Sequence, residues 1–138
     1  MGRAVLATFA AIALCASVGS HSSKPDFSGT WTLISSLPTL TSANRLAIAQ
    51  NESSITIDNQ RYALDGAENE GVLSTQTSRV TWASSALVIT KRTTGPRGDW
   101  QDLEIYSFND AGNLVVVRIL AGLPPHSMGA TMAIYQKE

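Results

Sequence analysis

At 138 residues with a formal net charge of −1, the chain has room for one hydrophobic core but not two of ordinary size, and it offers no electrostatic draw on nucleic acid or another polyanion. Hydrophobic residues make up 43% and charged ones only 15%, with serine and threonine filling much of the remainder, a mix that suits half-buried strands better than solvated helices. One cysteine, Cys15, and two histidines, His21 and His126, are too few to build a zinc site from the usual ligands.

The chain opens on Met1-Gly2-Arg3, a short positive start. An apolar run over residues 4–18 follows, interrupted only by Thr8 and Ser17, and then Gly19-Ser20-His21-Ser22-Ser23. This is the layout of a secretory signal peptide, and the run is too short to span a membrane comfortably. Residues 1–20 are therefore expected to be removed on export, placing the mature protein in the periplasm or outside the cell, with residues 21–26 as a flexible lead-in. Cys15 leaves with the leader, so the mature chain has no disulfide and is held by its core alone. That condition favours a closed β structure with few exposed edges.

The expected domain spans residues 27–138. Residues 27–34 read as the first strand, with Phe27, Gly29, Trp31 and Leu33 on one face by the two-residue period. Gly29 beside Trp31 leaves room for a close neighbour. Residues 35–44 contain Pro38 and read as a long connection, with one helical turn over 40–45. Strands over 45–50 and 54–58 form a hairpin about Asn51-Glu52-Ser53, a short arm over 61–64 follows the turn Asp58-Asn59-Gln60, and the polar stretch 67–71 reads as loop. Residues 72–83 and 86–92 pair across Ser84-Ser85. Residues 94–99, with two glycines and a proline, make a turn into a strand over 100–108. Asn109-Asp110-Ala111-Gly112 leads into 113–120, the loop 121–129 carries Pro124-Pro125, and 130–137 is the last strand. The sum is an all-β, antiparallel up-and-down barrel of about eight strands.

Phe27-Ser28-Gly29-Thr30-Trp31 followed by a meander of strands resembles the lipocalin and wider calycin pattern. With Tyr62-Ala63-Leu64-Asp65-Gly66, the Trp82-ended strand, Leu87-Val88-Ile89 and the final Tyr135-Gln136-Lys137, the chain is similar to the lipocalin-like domains of uncharacterised exported bacterial proteins. The resemblance covers essentially the whole mature chain and rests on the order of the motifs. It implies that Trp31 packs under a basic side chain from a late strand, either Arg118 or Lys137, with Gly29 beside it, closing one barrel end. The first strand also looks like the start of an avidin-type barrel, but the later hairpin pattern of that group is absent. Small metalloprotease inhibitors of the calycin type resemble one another through a disulfide that this mature chain cannot make.

Catalytic chemistry has little to draw on. His126 sits in Pro124-Pro125-His126-Ser127 and reads as a solvent-exposed loop residue, since Ser127 is adjacent rather than facing it. Glu68 and Glu70, and Asp99, Asp102 and Glu104, lie where solvated acids normally lie, on loops and strand exteriors; a hydrolase built on them is the weakest reading. Lys91, Arg92 and Arg97 read as a solvated basic face. The inward set is expected to be Trp31, Leu33, Ile48, Ile57, Tyr62, Trp82, Ile89, Tyr106, Val116 and Ile134. Of these, Tyr62, Trp82, Ile89, Tyr106, Val116 and Ile134 are the candidate lining of a ligand cavity, unless they fill the barrel solid. The expected function is non-enzymatic, without cofactor or metal: binding of a small, mostly apolar ligand in the barrel. The alternative is an envelope protein-interaction or inhibitor module acting through loops 35–44 and 121–129.

Overall fold

Alternation of apolar and polar residues at period two, broken by short polar turns, leaves each segment one face to bury, and successive hairpins bury it by closing a sheet on itself. The computed structural model describes residues 23–38, 42–71, 75–96, 98–122 and 129–138. They form ten strands: β1 (Gly29–Leu37), β2 (Arg45–Gln50), β3 (Ser54–Ile57), β4 (Gln60–Ala63), β5 (Glu68–Glu70), β6 (Gln76–Ala83), β7 (Ala86–Gly95), β8 (Gly98–Phe108), β9 (Leu114–Ala121) and β10 (Gly129–Lys137). The expected leader over residues 1–20 and both histidines lie outside the described residues.

All ten strands belong to one sheet in the order β4-β3-β2-β1-β10-β9-β8-β7-β6-β5, and every pairing is antiparallel. The first and last strands pair, with Trp31 opposite Lys137. The two ends of the sheet, β4 and β5, are consecutive in the chain and lie side by side. There the backbone N–H of Ala63 donates to the side-chain oxygen of Asn69 at 3.1 Å, a side chain standing in for a ladder bond. The result is the expected all-β antiparallel barrel, nearly closed and with no helix among the described residues.

The strand count exceeds expectation for identifiable reasons. The polar stretch read as loop contains β5, in which Glu68 pairs with Arg79 and Glu70 with Thr77; a short edge strand with little core contact has no apolar alternation to reveal it. β1 runs three residues past Ile34 because a bulge between Leu33 and Ser35 keeps it paired with β10. That extra residue resets the parity, so Leu37 faces outward at 61% exposure. The expected helical turn over 40–45 is not formed in its described part: residues 42–44 are irregular and Arg45 begins β2.

The apolar core is concentrated at one end. Phe27 and Trp31 are fully buried, Phe27 lies 4.9 Å from Phe108 and stacks on Trp82 at 6.2 Å, and Phe108 lies 5.7 Å from Trp31 between ring centres. The indole Nε1–H of Trp31 donates to the Phe27 carbonyl at 2.9 Å, whereas the buried Nε1–H of Trp82 in the same cluster has no partner among the described residues. Lys137 supplies the basic cover, its Nζ 5.5 Å from the Trp31 ring. Arg118 is not part of this closure, because β9 carries it to the far half of the barrel.

A charged layer above the plug

Inward-facing positions change character along each strand. On β7, buried Leu87 and Ile89 give way to Lys91. On β8, read from its C-terminal end, Tyr106 is followed by Glu104 and Asp102, and on β9 Leu114 and Val116 are followed by Arg118. On β10, Tyr135 and Ala133 give way to Thr131. Because β7, β8, β9 and β10 are adjacent and in register, the changes on β8, β9 and β10 fall on one row, Glu104–Arg118–Thr131, with Lys91 one step further along opposite Asp102, and the barrel passes from a filled apolar half to a hollow polar one.

The hollow half is a cavity of about 520 Å³. Its walls include Leu46, Ile57, Tyr62, Lys91, Glu104, Tyr106, Val116, Arg118, Thr131, Ala133 and Tyr135, with Ser42-Ala43 and the Asp58–Gln60 turn at its mouth. The register accounts for its centre: Glu104 is directly opposite Arg118 across β8 and β9, and Lys91 is opposite Asp102 across β7 and β8. Glu104, only 7% exposed, accepts from Lys91 Nζ at 2.7 Å and from the Tyr106 hydroxyl at 2.8 Å. Arg118 places Nε 3.4 Å from Glu104 and donates through Nη2 to Asp102 at 2.8 Å. The Tyr135 hydroxyl donates to the Ala43 carbonyl at 3.0 Å, tying the mouth loop to β10.

Burial raises Tyr106 well above the ordinary phenol range, reinforced by the Glu104 carboxylate beside it; burial likewise raises Tyr62. For Lys91, burial acts to lower the pKa, but the Glu104 carboxylate outweighs it and the ammonium titrates above its ordinary value. The phenols are thus neutral donors and Lys91 a fixed cation. Every charge in the layer has an opposite partner within reach, so it is a preorganised polar floor with no group poised as a free base or nucleophile. Among the described residues, no group of three or more His, Cys, Asp or Glu is placed to hold a metal.

Of the six candidate lining residues, Tyr62, Tyr106 and Val116 lie on the cavity wall. Ile89 is fully buried beneath it, opposite Glu104. Trp82 lies at the other end, stacked on Phe27 with Lys24 Nζ 5.4 Å from its ring. Ile134 faces outward, since its neighbours Ala133 and Tyr135 are the buried ones. Both parities of this strand are apolar, and only pairing with β9 decides which enters. Sequence reasoning missed Lys91, Asp102, Glu104 and the inward role of Arg118. The signal was present: Glu104 shares parity with Tyr106, and Lys91 with Ile89, so placing those partners inside commits the charged residues too.

The fold and cavity define a small antiparallel barrel, filled at one end and hollow at the other. The fluorescent protein UnaG has this fold: one mutant form matches with a TM-score of 0.59 and 18% identity, over 81% of this chain and 96% of that one. A second mutant form matches with a TM-score of 0.56 and 18% identity, over 80% and 95%. At this identity the likeness is one of fold. No protein-family model matches the chain, and no curated protein matches it.

Proposed function

We propose that this is an exported, non-enzymatic barrel that binds a small, largely apolar ligand in the half away from Trp31. The observation that carries the reading is the cavity of about 520 Å³ above the aromatic plug, a size typical of sites that enclose one small molecule. The leader-like residues 1–20 and the resemblance to exported lipocalin-like domains support export. Native mass spectrometry of protein purified from its own host tests the function: a retained small molecule of fixed mass is the expected result, and an empty barrel that takes up no member of a broad apolar library overturns it.

A second reading, docking of a protein through the stretch 35–44, draws on one observation. Leu37 is 61% exposed and pairs with Met132, itself 38% exposed. Residues 39–41 of that stretch, and 123–128 of the other candidate loop, lie outside the described residues. A protein partner that co-purifies with the wild type and is lost on Leu37→Asp would favour this reading.

A further inference from the structure

The order of chemistry along the barrel axis constrains what the cavity takes. At its floor, Lys91 and Arg118 face Glu104 and Asp102, two cations against two carboxylates, each pair closed by a contact of 2.7 or 2.8 Å. Asp58 stands at the mouth, its carboxylate accepting from the Ala47 backbone N–H at 3.1 Å. Leu120 lies opposite Asp102 and, with Arg118 and Thr131, borders a recess of about 270 Å³ that shares those two residues with the cavity. The cavity wall also carries Leu46, Ile57, Val116 and Ala133, so an amphiphile can set its head on the charged residues and its chain against these side chains.

The floor also restricts the head. A ligand carboxylate entering it finds Lys91 and Arg118 already engaged and meets the carboxylates of Glu104 and Asp102, so it must give up its hydration without gaining a free cation. An alcohol or amide gives up far less and both donates and accepts, which suits the Tyr62 hydroxyl and the ammonium hydrogens of Lys91 that Glu104 does not use. We propose that the cavity selects amphiphiles with an uncharged hydrogen-bonding head group and discriminates against carboxylates, with the Asp102–Arg118 pair setting that preference. This rests on the ligand-binding reading above and names the ligand class of the same site.

Titration calorimetry of the folded protein with dodecanol and dodecanoate at neutral pH, where the acid is ionised, tests the proposal on two probes of equal chain length. The alcohol is expected to bind about tenfold or more tightly than the carboxylate. In Asp102→Asn, which removes the carboxylate bonded to Arg118 Nη2 and leaves only the longer Glu104 contact, dodecanoate is expected to gain about tenfold while dodecanol stays nearly unchanged. Equal or tighter binding of dodecanoate by the wild type overturns the head-group preference and leaves the ligand-binding reading standing. Failure of both probes to bind overturns the two together. An Asp102→Asn protein that folds, as its melting curve reports, but shows no gain for dodecanoate removes Asp102 from the explanation.

Discussion

The side chain of Lys137 lies across Gly29, and its ammonium reaches a point 5.5 Å from the centre of the Trp31 ring. Gly29 makes this possible twice over: it adopts φ +141°, which L side chains rarely take, and a Cβ there would fall 2.7 Å from Lys137 Cε. Gly29→Ala is therefore expected to cost about 1–3 kcal/mol, measured by urea unfolding. The double variant with Lys137→Ala should recover only the steric share, because the backbone strain remains. An unchanged unfolding midpoint for Gly29→Ala would contradict this account.

Removing the indole itself is the more severe change. Trp31→Ala leaves a cavity among Phe27, Phe108 and the covering Lys137 and takes away the donor to the Phe27 carbonyl. A loss of about 3–5 kcal/mol follows, enough to unfold a marginal domain of this size. Circular dichroism and thermal melting check it, with a cooperative transition at the wild-type temperature as the contrary result.

Glu104 is the hub of the charged layer, and its partners need it. Glu104→Ala strands Lys91, whose side chain is 20% exposed, and leaves the buried Tyr106 hydroxyl without its acceptor. The expected cost is about 2–4 kcal/mol. Replacing both members of the pair, as Lys91→Met with Glu104→Leu, should cost much less than Glu104→Ala alone, since an uncompensated buried charge is the main penalty. A double-mutant cycle by denaturant unfolding separates the two, and a double variant no more stable than Glu104→Ala would refute the pairing.

The same layer sets an alkaline limit. Tyr62, Tyr106 and Tyr135 titrate above the ordinary phenol range through burial, and Lys91 is raised because Glu104 outweighs its burial. A group whose pKa is higher in the folded state holds its proton more tightly there. Its contribution is complete below the unfolded value and is lost as pH rises through the folded one. Stability should thus be insensitive to these groups up to about pH 10 and fall above it. Tyr106→Phe, although weakened at neutral pH by the missing hydrogen bond, should show a shallower alkaline fall in melting temperature; an identical slope would exclude Tyr106 as a contributor.

Much of the fold was legible because its causes are local. The period-two runs gave most of the strands, the polar turns gave the hairpins, and Gly29 beside Trp31 marked the crowded end. What escaped was whatever pairing alone decides. β5 carries no apolar face, so only its position beside β6 makes it a strand. Ile134 and Ala133 are both apolar, and the strand's parity is set by its register with Val115 and Val116 on β9. Arg118 and Lys137 were both suitable covers for Trp31, and the register of β1 against β10 selects Lys137.

The sequence by itself determined that this chain builds a one-core antiparallel barrel anchored by an aromatic first strand, because alternation, turn chemistry and a buried indole act over a few residues at a time. Only the tertiary structure decided that half of the barrel is hollow and that its floor is charged. A Lys, a Glu and an Asp over residues 91–104 each look like solvated surface, and the Arg at 118 like a cover for Trp31, until three neighbouring strands bring them onto two adjacent rows. Burial there is tolerated because each charge meets an opposite one across the ladder, a relationship that exists only between strands.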